Sequence, residues 1–126
     1  MRRVLAVAGA IAVIGVGTAT AVAQSQMEMN AQAGSALQKS DAQLNAVYNK
    51  LRARISDAGK QKLLAAQQLW LRFRDQECEF ETSGTLGGSI HSMMVAVCLT
   101  RLTDQRTRDL DRLLNCQEGD LSCAGL

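Results

Sequence analysis

Gln67-Gln68-Leu69-Trp70-Leu71-Arg72-Phe73-Arg74-Asp75-Gln76-Glu77-Cys78 is the stretch that decides the fold. It holds the single Trp, one of two Phe residues, an Arg-Asp doublet and a cysteine. At helical spacing, Leu63, Ala66, Trp70 and Phe73 form an apolar stripe that Phe80 continues two turns later. Aromatic residues make up only 3% of the chain, so rings on this stripe are expected to supply the main bulky packing surface. Each can bury roughly 150–250 Å². The stretch predicts the central helix of a small helical domain, with Cys78 offering a covalent tie at its C-terminal end.

Upstream, a second stripe runs through Ala33, Leu37, Leu44, Val47 or Tyr48, Leu51 and Ile55, with charged residues mainly off it. Residues 24–32 are polar with two methionines and read as a lead-in that becomes helical. Ser56-Asp57 followed by Ala58-Gly59 breaks the pattern, and either Ser56 or Asp57 suits an N-cap for the central helix. That helix is expected to end near Phe80 or Glu81. Residues 82–88 carry three glycines and predict a loop, since each glycine weakens a helix by about 1 kcal/mol. Ser89 is the natural N-cap for a third helix, whose buried side reads as Ile90, Met94, Val97/Cys98, Leu102, Leu110 and Leu113. Methionines 27, 29, 93 and 94 are expected in the core. With no proline and no alternating strand pattern, the fold class is all-α. Three helices in an antiparallel arrangement are expected, the second and third forming a hairpin.

The N-terminus has a different character. Met1-Arg2-Arg3, an apolar run from Val4 to Val16 and Ala21-Val22-Ala23 make the pattern of a secretory signal peptide cleaved after Ala23. The apolar run is shorter than the ~20 residues of a spanning helix, so no membrane segment is expected after cleavage. Residues 24–126 then form a single domain, and a periplasmic or secreted location follows. Losing Arg2 and Arg3 leaves 12 Lys+Arg against 12 Asp+Glu. A neutral chain gives no global electrostatic support for nucleic-acid binding, which needs a basic surface.

Four cysteines, Cys78, Cys98, Cys116 and Cys123, in a short exported chain read as two disulfides, for which three connectivities exist. In a hairpin of the second and third helices, Cys78 and Cys98 lie at comparable distances from the turn, and a bridge there would contribute roughly 3 kcal/mol. Cys116–Cys123 would then close the tail as a small ring. This pairing is favoured, with the other two left open. Zinc is the competing reading, with His91 as a further ligand, but the spacings do not match a paired knuckle. No metal and no cofactor are expected.

Catalytic patterns are weak. His91 is the only histidine, and no Ser-His-Asp or Cys-His arrangement is legible. Gly84 to Gly88 lacks the preceding strand and the following Lys-Ser/Thr of a phosphate loop. Glu77, Glu79 and Glu81 alternate, which scatters them around a helix. The chain does not read as an enzyme. Arg74-Asp75 and Thr103-x-x-Arg106 read first as ion pairs or hydrogen bonds across the hairpin, and second as direct ligand contacts.

Asp41-x-x-Leu44-Asn45-x-x-Tyr48-x-x-Leu51, Gln67-x-x-Trp70-x-x-x-Arg74-Asp75-x-x-Cys78, Gly87-Gly88-Ser89 and Cys98-x-x-x-x-Thr103-x-x-Arg106-x-x-x-Leu110 together form a further pattern. It resembles the LprI-type lysozyme inhibitor family of small exported bacterial helical domains, from about Met27 to Cys123. The resemblance makes Leu44, Asn45, Tyr48, Gln67, Trp70, Thr103 and Arg106 motif residues. In one respect the chain departs from the family: Met29-Asn30-Ala31 is followed by Gln32, where members often carry a cysteine, so a bridge from the first helix is absent.

The implied function is binding by protein–protein contact without catalysis, with lysozyme or another envelope protein as partner. Lysozyme-type sites are clefts built around two carboxylates. The loop from Ser83 to Ser89 suits a plug, with Arg74 or His91 approaching those carboxylates and Asp75, Gly87, Gly88 and Ser89 in the contact. The alternative is an envelope structural or interaction module that uses the same hairpin and leaves lysozyme active.

Overall fold

The computed structural model describes residues 17–117, 119–121 and 123. Three helices make the fold: α1 (Gly17–Arg54), α2 (Asp57–Glu81) and α3 (His91–Leu114), with one 3-10 turn at Ser83–Thr85. Residues 1–16 of the expected leader lie outside the described residues, and residues 17–23 form the first turns of α1. The lead-in at 24–32 is helical throughout, so the first helix extends well upstream of the expected Ala33. Among the described residues, no helix is long and apolar enough to cross a membrane.

The corner between α1 and α2 follows from local chemistry. Ser56 is extended (φ −62°, ψ 164°), and its hydroxyl accepts from the Gly59 amide at 3.1 Å. One of the orphan donors at the start of α2 is thereby satisfied. Arg54, in the last turn of α1, donates to the Leu114 carbonyl at 2.8 Å and ties the corner to the end of α3. Consecutive helices run antiparallel, so α1 and α3 run the same way: Asn30 meets Ser89, Ser40 meets Asp104, and Arg54 meets Leu114. The α1–α3 pair is the most extensive packing in the molecule.

The apolar core lies at the corner end. Leu44, Leu51, Ile55 and Leu110 are buried together, with Val47, Tyr48, Leu63, Trp70, Leu113 and Leu114 packed against them. On α3, Ala96, Thr103 and Leu110 are buried at every seventh position, which keeps one face of the helix inward.

On α2 the inward face is rotated from the expected stripe. Leu63, Gln67, Trp70, Arg74 and Cys78 point inward, whereas Ala66 is exposed, Phe73 is 54% exposed and Phe80 76% exposed. The expected core positions of the two Phe residues are therefore corrected. The polar groups of Gln67 and Arg74 find partners on other helices, so polar side chains take the inner face. Met27, Met29 and Met94 are exposed as well, as are Ile90 and Val97.

The opposite end of the bundle, where α2 turns into α3, has little apolar core and a covalent one instead. Cys78 and Cys98 are buried and joined, with Cα atoms 5.7 Å apart. Closing that 20-residue separation is worth about 3 kcal/mol through the unfolded chain. Arg101 clasps both carboxylate oxygens of Glu81 at 2.7 and 2.8 Å beside it. Cys116 and Cys123 form the second bridge, a ring within the tail. No cysteine among the four is left reduced.

Candidate functional site

Two sites are built from the motif residues, one inside the bundle and one at its tip. Inside, Arg74 is the hub. Its Nη1 donates to Asp41 on α1 at 3.0 Å and to Thr103 on α3 at 3.1 Å, while Nε donates to its neighbour Asp75 at 3.0 Å. One guanidinium thus joins all three helices. The Arg74 side chain is only 13% exposed and Thr103 is fully buried. A planar fork with five donors suits this task better than an ammonium would.

Trp70 lies one turn away, with the Arg74 guanidinium 5.5 Å and the Arg106 guanidinium 5.8 Å from its ring. Both lie within the range in which a cation is attracted to an indole face. Arg106 also donates through Nε to Gln67 Oε1 at 3.0 Å. Burial lowers the Arg106 pKa from its usual value, an effect that Asp109 opposes by its charge. Ser40 donates to Asp104 on the far side of the α1–α3 seam. The cluster positions helices.

At the tip, residues 82–90 link α2 to α3. Thr82 is buried and its hydroxyl donates back to the Cys78 carbonyl at 2.6 Å. Thr85 Oγ1 donates to the Thr82 carbonyl at 2.7 Å and lies 2.8 Å from His91 Nδ1. With its one proton on the Thr82 carbonyl, the Thr85 oxygen is placed to accept from His91 Nδ1. Gly87 has φ +78°, a conformation that side-chain-bearing residues rarely adopt. The Gly88 amide donates to Thr85 and the Gly88 carbonyl accepts from His91, closing the turn. Asn30 of α1 donates to the Ser89 carbonyl at 3.1 Å. Ser89 is thus a contact to α1, and not the expected N-cap; Ile90 takes that place without a side-chain hydrogen bond.

Beside this loop is a groove of about 240 Å³ lined by Asp75, Cys78, Glu79, Thr82, Leu86, His91, Val95 and Leu99. Asp75 and His91, far apart in sequence, share it. Arg74 sits one step inward and reaches the groove only through Asp75. Gly87, Gly88 and Ser89 form the loop beyond and are exposed. Of the other motif residues, Leu44 is core, Tyr48 packs against the core and Asn45 is exposed.

Sequence reasoning missed two features here. Asp41 stands in the first motif, one turn before Leu44, yet its partnership with Arg74 becomes visible only when α1 is placed. The second is an apolar rim at the tip: Phe80, Leu86 and Ile90 are 76%, 70% and 39% exposed. A loop residue such as Leu86, with no helical period to bury it, was the available signal.

Fold and site together define a class: a small three-helix domain stapled at its hairpin, clasped internally through one arginine, with a hydrogen-bonded loop at its end. The chain belongs to the LprI family, whose description, "Lysozyme inhibitor LprI", matches residues 18–110. An uncharacterized protein of Rhizobium meliloti (strain 1021) is 31% identical over 102 residues, covering 71% of this chain and 73% of the relative. The crystal structure of a DUF1311 family protein from Pseudomonas putida KT2440 superposes with a TM-score of 0.63 at 23% identity, covering 71% of this chain and 94% of the other. That likeness supports the fold.

Proposed function

We propose that this protein is an exported binding protein that inhibits lysozyme by protein–protein contact, without catalysis, in the periplasm or outside the cell. Membership in the family supports the class of activity, and two buried disulfide sulfurs at the base of the tip fit an oxidising compartment. The observation that carries the reading is the tip itself. Phe80, Leu86 and Ile90 are exposed apolar side chains on a loop held by a disulfide, the Thr82–Thr85–His91 bonds and the Asn30–Ser89 bond. A surface fixed before contact loses less conformational entropy on binding, and apolar anchors are what a partner cleft can desolvate.

In this reading Leu86 enters the lysozyme cleft, and Gly87 to Ser89 approach closely because they carry little side-chain bulk. His91 and Asp75 line the adjoining groove. Arg74 acts indirectly, holding Asp75 and the helix that ends in the tip. The test is calorimetric titration of lysozyme with the protein and with Leu86→Asp. Leu86 is exposed, so the variant should melt within about 0.5 kcal/mol of the parent, while binding weakens about tenfold or more. Equal binding by both proteins would remove the tip from the interface. Absence of any lysozyme binding would favour the second reading, an envelope interaction module using the same rim on another protein.

A further inference from the structure

The corner end of the bundle, remote in sequence from the tip, contains a larger pocket of about 440 Å³. Buried Leu51, Ile55 and Leu110 belong to its lining, together with Leu63 and Leu113. Its only charged lining residues are cationic: Lys62 and Arg106. That combination, an apolar chamber with few polar groups of one sign, is typical of small-ligand sites.

Three further observations point to the sign of the ligand's charge. First, Arg106 is pre-oriented: Nε is engaged by Gln67 at 3.0 Å and the guanidinium lies 5.8 Å from the Trp70 ring. No buried polar side-chain atom among the described residues lacks a partner, so its remaining donors reach accessible space. Second, Ala58 and Gly59 of the lining belong to the first turn of α2, a 25-residue helix whose N-terminal end carries positive partial charge. Third, two acidic residues adjacent in sequence to the lining, Asp57 and Asp109, already have cationic partners. Asp57 is bound by Lys60 at 2.9 Å and Asp109 by Arg112 at 2.7 Å.

We propose that this pocket binds a single-chain aliphatic carboxylate, its tail among Leu51, Ile55, Leu63 and Leu110 and its head on Arg106 and Lys62. Arginine accepts such a head by paired, charge-assisted hydrogen bonds. The site is separate from the tip and does not depend on lysozyme binding.

Trp70, the only tryptophan, stands next to Arg106 and reports occupancy. The experiment titrates the oxidised protein with sodium decanoate below micellisation, following Trp70 emission and heat, with decanol and acetate in parallel. Decanoate is expected to saturate at one per chain. Decanol, which lacks the charge, and acetate, which lacks the tail, should each bind at least about tenfold more weakly. Arg106→Gln should weaken decanoate about tenfold or more. Ala66→Phe, which adds a ring to the pocket wall from an exposed helix position, should abolish binding and keep the helical spectrum. Lys62→Gln, also at an exposed position, should weaken decanoate binding by a smaller factor and serves if Arg106→Gln does not fold. Lack of saturation by decanoate, equal affinity for decanol, or unchanged binding by Ala66→Phe would each overturn the proposal.

Discussion

Nη1 of Arg74, on α2, donates to Oγ1 of Thr103, on α3, across 3.1 Å, and Thr103 is buried completely. The same nitrogen reaches Asp41 on α1, so this bond is one arm of the only hydrogen-bonded hub among the described residues that links all three helices through one side chain. Replacing Thr103 with Val keeps the shape and removes the acceptor. The expected loss is about 1–2 kcal/mol by urea denaturation, because a charged donor is left with one buried partner fewer. Arg74→Lys should cost at least as much, since an ammonium cannot hold Asp41, Thr103 and Asp75 in a plane. Parent-like stability in both variants would show that the clasp is not a stabilising element.

The two disulfides should differ sharply in their effect on stability. Cys78–Cys98 joins two helices at the end of the bundle with the thinner apolar core, and its removal by paired Ser substitutions should cost about 3 kcal/mol. Cys116–Cys123 closes a ring of mostly exposed tail residues beyond α3. Local tail opening need not involve the bundle, so its removal should cost less than about 1 kcal/mol. Thermal melts of the two double variants compare them directly.

Gly34 sits in the interior of α1, and a Cβ built there meets nothing within 4 Å. Gly34→Ala should therefore stabilise the protein by about 0.5–1 kcal/mol, through reduced backbone freedom in the unfolded chain and better helix propensity. A fall in the denaturation midpoint would mean that another contact uses the missing side chain.

Much of the fold was legible because strong local signals agreed. The broken pattern at Ser56 to Gly59, the glycines of the loop and the spacing of Cys78 from Cys98 gave three helices and the staple. The phase of α2 was not legible. Periodicity assigns apolar residues inward, so it chose Ala66, Phe73 and Phe80, yet the inner face carries Gln67 and Arg74. Those polar side chains are buried at acceptable cost only because Asp41, Thr103 and Arg106 arrive from other helices. No pattern within one helix contains that information. Only after the other two helices are placed do Gln67, Trp70, Arg74 and Cys78 of the family motif stand out as one inward face. Ser89 failed as a cap for a related reason: its place in the turn is set by the Asn30 bond from a distant helix.

The most direct measurement of the central claim is lysozyme-driven cell-wall lysis titrated with the oxidised protein and, in parallel, with a sample reduced at both disulfides. The account predicts dose-dependent inhibition that saturates near equimolar protein and is lost on reduction, because the tip is rigid only while Cys78–Cys98 is closed. Undiminished lysis at a large excess of folded, oxidised protein would contradict it.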